Sequence, residues 1–194
     1  MSPRPSPEAV QPESEQPEVL TYWLTDDGVF PNNAKLPLTV YRGADARPEP
    51  DLAAAFEARF EAHAWPPAWR SSIFGYHHYH STAHEVLGIF RGRATIQFGG
   101  EQGVALEVQA GDVVVIPAGV AHKCLKSRAG FCAVGAYPQG QRWDTCTGKP
   151  GERPRADANI ARVPLPQADP VHGLDGPLMQ HWTHLSTTQT GGDA

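Results

Sequence analysis

The run from Ser72 to Gly100, SIFGYHHYHSTAHEVLGIFRGRATIQFGG, decides the fold. Short stretches rich in β-branched and aromatic residues, at 72–80, 84–91 and 93–98, are punctuated by Gly92 and Gly99-Gly100. The rhythm continues to Tyr137, with runs at 103–108, 112–116, 120–126 and 130–137 and turn signals at Gly111 and Ala129-Gly130. Seven short strands in 66 residues with hairpin-length links predict an antiparallel sandwich or barrel.

Upstream, 19–25 and 36–41 read as two further short strands separated by the turn-rich Asp26 to Lys35. Asp51 to Ala64 is the one predicted helix. Asp51 can cap it, Leu52, Phe56 and Phe60 recur at i, i+4, i+8 as an apolar stripe, and Trp65-Pro66-Pro67 ends it. Its expected role is a buttress on the sheet. Residues 1–18 are expected as a disordered tail, because five prolines and three glutamates fall within 1–17 and almost no bulky apolar side chain does. Beyond Gly140 the rhythm is lost. Val163, Leu165, Val171, Leu174, Leu178 and Trp182 are expected to lie over the barrel as an extended cover, and 186–194 to form a frayed terminus. The organisation is thus one domain over 19–185 with extended N- and C-terminal segments.

The 194 residues carry 40% apolar and 19% charged side chains, enough for one real core. Glycine and proline, 19 of each, favour turns and strands over long helices. A net charge of −5 without any basic block argues against nucleic acid as a partner. The longest apolar stretch, Val113 to Ile116, is too short to cross a bilayer, and residues 1–30 show no apolar signal core. Cys124, Cys132 and Cys146 are odd in number and form no C-x-x-C pair, so the cytoplasm is the expected compartment.

Four of the nine histidines, His77, His78, His80 and His84, crowd into eight residues, and Glu85 follows. On an extended chain His78 and His80 share a face and His77 points the other way. Such an i, i+2 pair is ready to chelate, and a nearby carboxylate adds a hard, negative oxygen. An accidental polar cluster is the competing reading.

Two spaced patterns carry a resemblance. His78-Tyr79-His80, four residues, Glu85, six residues and Gly92 resembles the first motif of the cupin superfamily. Gly111, five residues, Pro117, one residue, Gly119, two residues and His122 resembles the second, eighteen residues further on. The wording from His78 to Gly88 and the run Gly135 to Asp144 is similar to the bacterial YjlB-like cupins. The glycine that opens the first motif in the superfamily is Ser72 here, and the asparagine that closes the second is Lys126. Neither is a ligand position.

The resemblance implies an all-β fold, one cupin jelly roll or double-stranded β-helix. It also implies a metal site inside the barrel formed by His78, His80, Glu85 and His122. One divalent transition metal ion, Fe, Mn, Ni, Co, Cu or Zn, is the implied cofactor. With three neutral ligands and one anionic one, the site keeps a charge of +1 and one or two open positions. Two function classes follow. One is a metal-dependent enzyme, an oxygenase or isomerase acting on a small polar molecule. The other is a non-catalytic metal or small-molecule binding or sensor protein. Catalytic residues beyond the ligands are not identified.

Steps of two from the ligands place Tyr76, Leu87 and Cys124 about 6–7 Å from them along the strands, so these are the expected pocket residues. Arg91 and Lys126 fall roughly 20 and 13 Å away and are left out. Val86 and Phe90 lie opposite Glu85 and need a cover from 19–41 or from a second copy, so a homodimer is expected. Other signals are weak. His84-Glu85 lacks the second histidine of a zincin, and Thr147-Gly148-Lys149 has no glycine-rich loop before it. Cys124 reads better as filler than as nucleophile. His172, His181 and His184 read as surface residues, and Trp23, Trp65, Trp69 and Trp143 as core or interface anchors.

Overall fold

The computed structural model describes residues 18–48 and 51–183. The expected frayed terminus and nearly all of the expected tail lie outside them. Glu18, taken with that tail, already opens the first strand.

In chain order the elements are β1 Glu18–Leu24, β2 Asn33–Arg42, α1 Asp51–Ala62, β3 Pro67–Ser71, β4 Glu85–Phe98, β5 Val104–Gln109, β6 Val113–Ile116, β7 His122–Ala136, α2 Arg155–Ile160 and α3 Pro177–Thr183. The strands follow the order β1-β2-β6-β4-β7-β3, all antiparallel, with β5 added beside β4. The expected all-β jelly roll is the fold.

The strand count differs from the sequence reading because two glycine signals bend strands instead of ending them. The runs 84–91 and 93–98 are one strand, β4, and 120–126 and 130–137 merge into β7. Gly92 has φ +68°, and a Cβ there would meet the carbonyl of Arg128 at 2.5 Å, so only glycine fits this crossing. The pairing slips around Arg91 to Arg93, opposite Cys132 and Arg128. That slip reverses which side faces inward. Leu87 and Ile89 enter the interior before the kink, and Ala94, Ile96 and Phe98 enter it after. The same two strands therefore serve both halves of the roll. The first half of β4 pairs with β6 and the second with β5.

Segment 72–80, expected as a strand, is not one. It has only single-residue bridges, His78 with His122 and Tyr79 with Cys146. The strand near it is β3, earlier in the chain and paired with the end of β7.

The interior cluster joins Leu38, Val40, Leu87, Ile96, Val114 and Ile116 with their neighbours. A second cluster lies on the outer face. There Leu52, Phe56 and Phe60 of α1 pack with Val86, Phe90, Val113, Val115 and Val134. The helix fits closely because Gly88 leaves room, since a Cβ there would come within 2.8 Å of Phe56 Cγ. Val86 and Phe90 are thus covered from within the chain, by α1 and by Val171, Leu178 and Trp182. This face gives no ground for the homodimer expected from it.

The C-terminal cover is partly as expected. Val171, Leu178 and Trp182 are buried, whereas Leu165 is exposed and Leu174 is 76% exposed. The short helices α2 and α3 were not expected. At six and seven residues they are too short to show a period. Asp169 fastens this segment. Its fully buried carboxylate accepts hydrogen bonds from the Tyr41 hydroxyl and from the backbone N–H groups of Val171, His172 and Leu178. Asp169→Ala should strand these donors and lower stability by about 2–4 kcal/mol. Urea midpoints of the two proteins check this. An unchanged midpoint would mean the cover is held by its apolar contacts alone.

Candidate metal centre

The site starts with four residues pinned in extended form. His78 and His122 exchange both backbone hydrogen bonds, at 3.1 and 2.9 Å, and Tyr79 and Cys146 do the same at 2.9 Å each. Alternation then works over this stretch although it is no strand. His78 and His80 turn to the interior. Tyr79 joins Phe30, Ala121, Cys146 and Ala156 on the other side, and His77 lies 5.0 Å from the Phe30 ring. His122 opens β7 opposite Phe98, at the end of β4, and Glu85 opens β4 opposite Ile116. The two side chains nevertheless meet inside the roll, 3.3 Å apart.

His78, His80 and His122 are buried, and their ligand atoms lie within 4.8 Å of one another, a group that could hold a metal ion. Glu85, also buried, brings Oε1 to 3.5 Å from His80 Nε2 and Oε2 to 3.3 Å from His122 Nε2. Each imidazole has Nδ1 turned to a backbone carbonyl: His78 to Tyr76 at 3.4 Å, His122 to Val120 at 3.2 Å, and His80 to Asp144. With the proton on Nδ1, each Nε2 is left with its lone pair aimed at the centre. Glu85 Oε2 is buried and has no hydrogen-bond partner. With the imidazoles neutral, three nitrogen lone pairs and this carboxylate oxygen share one buried space.

Charge follows from burial. Burial, helped by the neighbouring His122, pushes the His78 pKa down to about 3, so this imidazole is neutral at physiological pH. Burial alone would raise the Glu85 carboxyl, but without an ion the protonated forms of His80 and His122 beside it outweigh burial and hold the group well below its usual range. A bound cation would take the place of those protons. The carboxylate is therefore a permanent negative charge in the interior. It has one firm neutral partner. Tyr137 donates its hydroxyl hydrogen to Glu85 Oε1 at 2.7 Å and accepts one from Trp69 Nε1 at 3.0 Å.

A cavity of about 230 Å³ opens above the imidazoles. Its walls are Trp69, Phe74, Tyr137 and Trp143, with Ile73 and Leu87 beside them and hydroxyls from Ser71, Ser72 and Thr145. Of the three expected pocket residues, Leu87 lines it and Tyr76 and Cys124 do not. Tyr76 is 52% exposed and stacks on Phe74, because 72–77 lacks the strand geometry that the step-of-two count assumed. Cys124 keeps the inward side but packs against the interior cluster. Lys126 lines a separate groove with Arg93 and Arg128, away from the imidazoles.

His84 is buried opposite Glu85. Its Nδ1 accepts the Ala118 N–H at 2.9 Å, and its ring packs 4.7 Å from Trp182. The residues that sequence reasoning missed are the aromatic walls. Tyr137 and Trp143 sit inside the run Gly135 to Asp144 that resembles the YjlB-like cupins, and that was the available signal.

Residues 66–127 match the Cupin domain family. Uncharacterized protein YjlB of Bacillus subtilis (strain 168) is 47% identical over 165 residues, which is 85% of this chain and 97% of that protein. The chain belongs to the cupin superfamily, among the YjlB-like proteins. Two solved structures are also similar. A DUF861 family protein of Thermotoga maritima is 21% identical, over 50% of this chain and 96% of that one, with a TM-score of 0.31. An uncharacterized conserved protein with a double-stranded beta-helix domain from Klebsiella pneumoniae subsp. pneumoniae MGH 78578 is 13% identical, over 71% and 85%, with a TM-score of 0.30. Among the described residues no helix is long and apolar enough to cross a membrane.

Proposed function

We propose that the chain is a metal-dependent enzyme of oxygenase or isomerase type, acting on a small polar molecule at one divalent transition metal ion held by His78, His80, Glu85 and His122. One observation carries this reading. Three imidazole nitrogens and a carboxylate oxygen without a hydrogen-bond partner converge in a buried space. Such a cluster of acceptors is costly unless a cation sits among them. Nitrogen and carboxylate donors fit Fe, Mn, Co, Ni, Cu and Zn alike, so the donor set does not choose between them.

When bound, the ion would supply Lewis acidity toward a chelated oxygen, and one-electron chemistry if it is redox-active. The chain's own residues do the rest. The carbonyls of Tyr76, Val120 and Asp144 fix the imidazole tautomers, and Tyr137 holds Glu85 in its orientation. The aromatic walls limit water around the reacting centre. The free thiols of Cys124, Cys132 and Cys146 accord with a reducing cytoplasm.

A second reading, a non-catalytic binding or sensor protein, has one observation in its favour. Among the described residues, the only titratable side chain lining the cavity beyond the four proposed ligands is Tyr137. Its hydroxyl is already bonded to Glu85, and burial holds its pKa far above neutrality. No spare general acid or base stands ready. Oxygen consumption and product formation by metal-loaded protein against a panel of small chelating molecules separate the two. Turnover that vanishes on metal removal supports the enzyme. Saturable binding without turnover across the panel would favour the sensor.

A further inference from the structure

The cavity is matched to one kind of molecule. At about 230 Å³ it exceeds the roughly 150 Å³ apolar void that takes benzene, so one ring with a chelating group fits. Its walls are flat and apolar. Trp143 stacks on Tyr137 with centroids 4.2 Å apart and planes 9° apart, and Phe74 meets His78 edge-on at 5.0 Å. Phe74 and Trp143 nevertheless stay 51% and 47% exposed, two large rings left open at the mouth of a buried polar site.

The polar ends of the walls are largely spent. Trp69 donates to Tyr137, which donates to Glu85, leaving three hydroxyls for a ligand. Among the described residues, no lysine or arginine lines the cavity. A second negative charge on a ligand would meet no cation there besides the ion, and desolvating it would go uncompensated. A singly negative chelate, by contrast, cancels the +1 that three neutral ligands, one carboxylate and a divalent ion leave behind.

Building on the metal reading above, we propose that this cavity binds a small molecule joining a singly negative, bidentate oxygen chelate to one flat apolar ring. The chelate meets the ion and the ring lies against Phe74 and Trp143.

Acetohydroxamate and benzohydroxamate test this, since they share a chelate and differ by a ring. Calorimetric titration of zinc-loaded protein should show benzohydroxamate binding about tenfold tighter or more. Trp143→Ala and Phe74→Ala should each shrink that gap several-fold while zinc content and acetohydroxamate affinity stay level. Equal affinities on zinc-loaded wild type, or a gap untouched by both substitutions, would overturn the proposal and leave the metal reading standing. Wild-type protein that takes up none of Fe, Mn, Co, Ni, Cu and Zn would overturn both; if it retains one of these other than zinc, the same titration is run with that ion.

Discussion

Alanine at His78, His80, Glu85 or His122 should each weaken metal binding by at least about a hundredfold in a calorimetric titration. The same change at His77 or His84 should leave affinity close to wild type. The expected size follows from removing a direct ligand, since changing a mere outer-shell partner already costs about 10–100-fold. The contrast is sharp because the residues are neighbours in sequence. His77 lies against Phe30 on the far side of the chain, and His84 is engaged by the Ala118 N–H. His84→Ala should lower thermal stability, because a buried ring against Trp182 is lost, but without emptying the site. Wild-type affinity after any of the four ligand substitutions would remove that residue from the set. Loss of metal on His77→Ala would mean the alternation over 77–80 does not hold in solution.

Phe56→Ala should lower stability by about 3–5 kcal/mol, the usual cost of deleting a fully buried aromatic ring. The ring is inaccessible, stacks on Phe60 at 5.6 Å, and sits over Gly88 so closely that no side chain fits beneath it. Collapse around the void is limited because Leu52 and Phe60, on either side of Phe56 along the stripe, are themselves buried against the sheet. Gly88 lies three residues from Glu85 on β4. The loss should therefore appear in denaturant midpoints first, with the metal site following only when the strand itself unfolds. A change under about 1 kcal/mol would mean that α1 packs loosely on the roll.

How far the sequence could be read depends on how local each signal is. The helix α1 was legible because Leu52, Phe56 and Phe60 mark one face within a single element. Alternation gave only that His78 and His80 share a side; the grouping of His78, His80 and His122, with Glu85 beside them, was implied by the resemblance of the two motifs. The strand count was not legible at Gly92 or Gly130. A left-handed glycine either ends a strand or kinks it, and the outcome is set by the partner strand, which is remote in sequence. Tyr76 failed as a pocket residue for a related reason. Counting in steps of two needs a strand, and 72–77 runs irregularly beside β7. Tyr137 and Trp143 lie in the run that resembles the YjlB-like cupins, but nothing local in that run places them at the pocket. Their position depends on β7 reaching its far end beside β4, with Val86 opposite Ala136, and no local pattern reports that register.

Elemental analysis of the wild-type protein tests the central claim most directly. The protein should be stripped with a chelator, offered each divalent first-row metal in turn, and desalted. The account predicts about one equivalent of ion retained per chain for at least one metal. Retention of no metal at stoichiometric level, from protein that is folded by circular dichroism, would contradict it.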